Sequence, residues 1–129
     1  MFNVNHDTMA ITMHRGDTGA FTVTLSRTSG DEFVDGDVAI FEIWQKTTRL
    51  IHREFNLQPD EPTYSELGDG KILIAFRNSD TDTWAAGNYN TEIRVSLNPV
   101  RSDGSVVDGD TVRTIIQSTL TISDVLINI

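Results

Sequence analysis

The run Asp80-Thr81-Asp82-Thr83-Trp84-Ala85-Ala86-Gly87-Asn88-Tyr89 constrains this chain more than any other. A short polar turn closes on Gly87, and Tyr89 follows two residues later. Thr91, Ile93, Val95 and Leu97 then alternate with Glu92, Arg94 and Ser96. A period of two sends successive side chains to opposite faces of a β-strand. A tyrosine at the head of such a strand, just past a tight turn, is placed to return its hydroxyl to the backbone of that turn. The expectation is a buried Tyr89 whose O–H donates to a carbonyl a few residues upstream. Such a corner fixes architecture and leaves chemistry open.

The same alternation recurs along the chain. Phe21, Val23 and Leu25 against Thr22, Thr24 and Ser26 make the clearest half-buried strand. Met9, Ile11 and Met13 against Ala10, Thr12 and His14 make one before it, and Gly16-Asp17-Thr18-Gly19 separates the two. Ala39, Phe41 and Ile43 form one face of a later strand whose other face, Val38, Ile40 and Trp44, is also partly apolar. A strand apolar on both faces belongs in the centre of a sheet.

Leu50 to Leu57 reads as an edge strand with Ile51, Phe55 and Leu57 inward and His52 and Glu54 outward. Gln58 to Gly70, with its prolines and acids, reads as the longest loop. Ile72, Ile74 and Phe76 alternate with Leu73, Ala75 and Arg77, and Asn78 or Ser79 is placed to cap a single helical turn ending at Gly87. Asn98 to Asp110 reads as a second polar loop. The last strand runs from Val112 to Ile122 with Ile116, Leu120 and Ile122 inward, and the chain closes on the apolar Val125-Leu126-Ile127-Asn128-Ile129.

About seven strands at this spacing, with no long helix, predict an all-β, immunoglobulin-like antiparallel β-sandwich. Phe21, Val23, Phe41, Ile43, Ile72, Ile74, Phe76, Trp84, Tyr89, Ile93 and Val95 are its expected core. With 129 residues, a single domain over 1–129 is expected, its core spanning about 9–123 and its apolar tail 124–129. There is no cysteine, so no disulfide, thiolate nucleophile or cysteine-based zinc site can form. The net charge of −9, with its few basic residues scattered singly, argues against nucleic acid or an anionic membrane as partner. No apolar run is long enough to span a bilayer. Met1 to Asp7 lacks the basic start and apolar stretch of a signal peptide.

Asp31, Glu32, Asp35 and Asp37, and then Asp103, Asp108 and Asp110, could offer oxygen ligands to calcium. Their spacing fits no EF-hand loop, and turn chemistry accounts for them without a metal. The segments Ser29–Asp37 and Ser102–Asp110 echo one another as two Asp-Gly turns. His6, His14 and His52 form no pair at ligand spacing, and no Gly-x-Ser-x-Gly elbow is present. The reading is therefore no catalytic, cofactor-binding or metal site, and no cofactor. Trp44 and Trp84 are open to two roles, stacking on a ligand or packing in the core, and core packing is the favoured reading of each.

The run Arg15 to Leu25, followed by Gly30 to Ile43, resembles the opening of immunoglobulin-like domains in tailed-phage structural proteins. It resembles in particular the amino-terminal domain of phage baseplate upper proteins. The block Gly68 to Asp82, with Val107 to Thr114, is similar to small prophage-encoded proteins of gut Firmicutes. The resemblance implies a non-enzymatic virion or prophage assembly module of the tail or baseplate kind. Its partners would be itself, as a homo-oligomer, or neighbouring virion proteins, and its place the virion or the bacterial cytoplasm before assembly. The alternative is a carbohydrate- or surface-binding β-sandwich module of a bacterium.

Overall fold

The computed structural model describes residues 2–27, 29–97, 100–102, 105–108 and 111–124. Its elements in order are β1 (Asn3–Val4), β2 (Ile11–His14), β3 (Gly19–Thr24), β4 (Val38–Gln45), β5 (Thr48–Asn56), β6 (Glu66–Gly68), β7 (Lys71–Phe76), α1 (Asn78–Thr81), β8 (Gly87–Leu97), β9 (Val100–Ser102), β10 (Ser105–Asp108) and β11 (Thr111–Ser123). One sheet has six strands in the order β1-β2-β11-β8-β4-β5, and the sheet facing it has three, β3-β7-β6. The chain is an all-β, two-sheeted sandwich.

Alternation decides which side chains meet between the sheets. Phe21 and Val23 from β3, Ile72, Ile74 and Phe76 from β7, Ala39, Phe41 and Ile43 from β4, and Tyr89, Ile93 and Val95 from β8 share one core. Of the expected core, only Trp84 lies at the rim, partly buried against Tyr89 with ring centroids 5.0 Å apart. Phe41 and Phe76 meet edge to face across the sheets, 6.3 Å between centroids. Such aromatic pairs add about 0.5–1.5 kcal/mol to the area they bury.

The corner at the head of β8 is built as the sequence predicts. Tyr89 is 3% exposed, and its hydroxyl donates to the Ala85 carbonyl oxygen at 2.5 Å. The Arg15 side chain donates to the Trp84 carbonyl, also at 2.5 Å, and pairs with Asp124 at 2.6 Å. The buried Thr81 hydroxyl accepts from the Gly16 N–H at 2.9 Å. The β2–β3 turn and the segment after β7 are thus locked together at one end of the sandwich.

At the opposite end Gly70 joins three segments. It accepts from Leu25 N–H at 2.9 Å and donates to the Leu57 carbonyl at 3.0 Å. Its φ is +77°, and a Cβ there would lie 2.2 Å from the Leu25 carbonyl oxygen. Only glycine fits.

Several expectations need correction. The sandwich is not wholly antiparallel: β2 pairs with β11 in parallel, because the first long strand and the last run the same way and the rest of the chain is the crossover between them. The 58–70 loop contains β6, and the Asn98–Asp110 loop contains the hairpin of β9 and β10. These strands, like β1, are too short for a period to show. Met9 is not in the first strand; it takes φ +61°, and pairing begins at Ile11. The helical turn ends at Thr81, not Gly87. Its N-cap is Arg77, whose N–H donates to the Asp80 carboxylate at 2.7 Å. The tail 125–129 lies outside the described residues.

Arg53 is the one charged side chain that edge strand β5 turns toward the other sheet, opposite Phe41 in register. Its guanidinium donates to the Ala75 carbonyl and, at 2.9 Å, to Asp80, and stands 5.6 Å from the centre of the Phe76 ring.

Candidate functional site: the outer face of the six-stranded sheet

The face of β4 that turns away from the core carries Val38, Ile40, Glu42 and Trp44. Register then fixes their neighbours. Glu42 lies opposite His52 on β5 and Glu92 on β8, Ile40 opposite Glu54 and Arg94, and Trp44 opposite Asn90 on β8. Beyond β8, Gln117 and Thr119 of β11 continue the rows of Glu92 and Asn90. Strand pairing alone therefore gathers three acids, two arginines with Arg49, one histidine and one tryptophan on a single face.

Glu42 is the centre of this network and only 1% exposed. Its Oε1 accepts from Arg94 Nη2 at 2.7 Å, and its Oε2 accepts from Arg49 Nη1 at 3.1 Å and lies 2.8 Å from His52 Nδ1. The other ring nitrogen of His52, Nε2, is 2.8 Å from Glu54 Oε2. Arg94 Nε is 3.0 Å from Glu92 Oε1, a contact of charges whose N–H is not aimed well enough for a hydrogen bond. Burial pushes the Glu42 carboxyl up, but the His52 hydrogen bond, the Arg94 charge and the Arg49 hydrogen bond outweigh it and hold the group below the usual carboxylate value. Burial loses because Glu42 lies only one side chain below solvent: Arg49 and Arg94 are themselves 49% and 30% exposed.

Trp44 corrects the sequence reading. It is half-buried on this outer face rather than in the core. Trp44, Lys46, Asn90, Glu92, Gln117 and Thr119 border one open depression. Sequence alternation already put Trp44 on the same side as Val38 and Ile40; it could not show that this is the side turned away from the core between the sheets.

The acidic loop residues serve the turns. Asp37 accepts from Val34 N–H at 3.0 Å, Asp35 accepts from the Asn56 side-chain amide at 2.6 Å, and Asp31 is 3.1 Å from the Ser29 hydroxyl. Among the described residues no group of three or more histidines and acids is arranged to hold a metal. Asp103 and Asp110 lie outside those residues. His14 is half-buried on β2 and His6 is exposed, while His52 enters the Glu42 network. Among the described residues no helix is long and apolar enough to cross a membrane.

No protein-family profile matches this chain, and no curated protein or solved structure is significantly similar to it.

Proposed function

We propose that this chain is a non-enzymatic structural module of a tailed-phage or prophage particle, an immunoglobulin-like sandwich that docks to copies of itself or to neighbouring virion proteins. The virion setting rests on the resemblance of Arg15–Leu25 and Gly30–Ile43 to such domains. The immunoglobulin-like reading draws support from the strand order, with β4, β8 and β11 adjacent in one sheet and β3 beside β7 in the other, and from the Tyr89 corner. The observation that carries the docking role is the outer sheet face around Glu42. Its charges alternate in sign and already hold one another in place, so a partner meets an ordered pattern and little side-chain freedom is lost on contact.

The chain's two lysines provide the test. Lys46 borders this face, and Lys71 stands exposed on β7 of the other sheet. Amine-reactive cross-linking of induced phage particles, read by mass spectrometry, should join Lys46 to a neighbouring chain. Particles that lack the protein, or cross-links through Lys71 alone, would overturn the proposal.

A second reading has its own support. Trp44, with Asn90, Gln117 and Glu92 beside it, offers a ring for a sugar face and amide or carboxylate partners for its hydroxyls. Under this reading, soluble oligosaccharides quench tryptophan fluorescence saturably and Trp44→Ala removes the response. Identical responses in parent and variant would dismiss it.

A further inference from the structure

We infer that the outer edge of β3 is a strand-addition site for a second copy of this chain, joined antiparallel about a two-fold axis at Thr22. The inference stands on β3 alone and holds or fails independently of the Glu42 face on the other sheet. β3 ends the three-stranded sheet, and among the described residues no strand pairs with its other side. Two hydrogen bonds fix which main-chain groups point there. Leu25 N–H, next in register after Thr24, donates to the Gly70 carbonyl at 2.9 Å, and Leu73 N–H points away from β3 to the Ser65 carbonyl, also at 2.9 Å. In an antiparallel ladder the direction alternates residue by residue. Phe21 and Val23 therefore spend their main-chain groups on β7, and Ala20, Thr22 and Thr24 turn theirs outward.

An end strand adheres to other strands unless something blunts it. The other three ends of the two facing sheets are blunted. β1 has two residues. β6 has three, and its Glu66 accepts from Thr63 N–H at 2.8 Å and donates its own N–H to the Thr63 hydroxyl at 3.0 Å. β5 carries Arg49, His52, Arg53 and Glu54. β3 has six residues, Gly-Ala-Phe-Thr-Val-Thr, with no charge, no proline and no break in its register against β7.

The pattern of the strand itself selects the occupant. With Thr22 set opposite its counterpart, Ala20 meets Thr24 of the second copy and Thr24 meets Ala20, so every outward N–H and C=O of both strands finds a partner. On the core side Phe21 faces Val23, an aromatic ring against a β-branched side chain; each is 7% exposed and already lines the core. On the outer side the two Thr22 hydroxyls meet. No like charges oppose one another, which matters for a chain whose net charge of −9 repels its own copies. An open groove lies beside the strand, with Phe2, Val4 and His6 across it from Ala20 and Thr22. A seam this short buries little area, so the pair forms in concentrated solution.

Sedimentation equilibrium of the full chain, taken up to about 1 mM, should show the mass rising toward twice 14.4 kDa. Thr22→Lys and Thr22→Glu, at an exposed position of the strand, each set like charges opposite one another. Alone, each should stay at the single mass with the circular dichroism of the parent. Mixed in equal amounts they should return to the double mass, because a lysine then faces a glutamate. A parent at the single mass throughout, variants that associate as the parent does, or a mixture that stays apart overturns the inference. Amide exchange followed by nuclear magnetic resonance locates the seam in the parent. The Ala20, Thr22 and Thr24 amides should exchange more slowly as concentration rises, while Phe21 and Val23 stay protected at every dilution. Outward amides protected equally at all concentrations would mean that a segment of the same chain covers the edge, and that result also overturns the pairing.

Discussion

Replacing Glu42 by glutamine keeps the shape of the side chain and removes the charge on which Arg49, Arg94 and the His52 ring converge. Taking one partner from a buried charge pair costs about 3–5 kcal/mol. Two features of this site lower that figure. The side chains of Arg49, His52 and Arg94 are 49%, 20% and 30% exposed, so water reaches them once the carboxylate charge is gone. Glutamine also keeps one acceptor oxygen, enough for one arginine. The expected loss is about 2 kcal/mol at neutral pH, or a fall in melting temperature of about 6–10 °C for a domain of this size. The pH dependence follows from the carboxyl being held low in the folded chain. A group that binds its proton less readily folded than unfolded stabilises above its unfolded value and loses that effect as pH falls through its folded value. Urea denaturation of parent and Glu42→Gln should therefore differ by about 2 kcal/mol near pH 7, and the difference should shrink in acid as pH falls from the usual carboxylate value through the lower folded one. A difference under about 0.5 kcal/mol at pH 7 would show that the network contributes no stability, and one that grows as the solution is made acid would refute the lowered carboxyl value as its source.

Tyr89→Phe removes the donor to Ala85 and leaves that carbonyl unpaired beside a 3% exposed ring, so denaturation should show a loss of about 1–2 kcal/mol. Phe41→Ala or Phe76→Ala opens a cavity between the sheets and should cost about 3–5 kcal/mol by the same assay. Gly70→Ala forces a Cβ into the Leu25 carbonyl at a positive φ and should destabilise by about 2 kcal/mol or more, whereas Gly36→Ala, with open space around its Cβ, should pay only the strain of its φ of +100° and lose less. Excess EDTA should leave the melting temperature unchanged; a drop restored by calcium would reopen the acidic loops as ligands.

Much of the core was legible because β3, β7 and β8 each bury one face, so a period of two names the inward residues directly. The inward Ile51 and Phe55 and the outward His52 and Glu54 of β5 were readable in the same way. The buried charge at Glu42 was not. Its partners come from β5 and β8, and only strand register, a long-range property, brings Arg49, His52, Glu54, Glu92 and Arg94 to it. The one available signal was that both faces of β4 are apolar around an unexpected acid. Trp44 was misread for a related reason: a two-faced apolar strand shows centrality within a sheet, and does not show that a second sheet packs on both faces. The parallel pairing of β2 and β11 leaves no local trace at all.

Arg53 has a bearing on how copies of this chain can be stacked. A nine-residue strand at the end of a sheet, such as β5, is an invitation to add further strands and grow without limit. Arg53 turns a cation inward from that strand and spends its donors on Ala75 and Asp80. An incoming strand that pulled β5 flat would have to withdraw this cation from its two acceptors and from the Phe76 ring. Lateral growth of the six-stranded sheet through β5 is thereby discouraged.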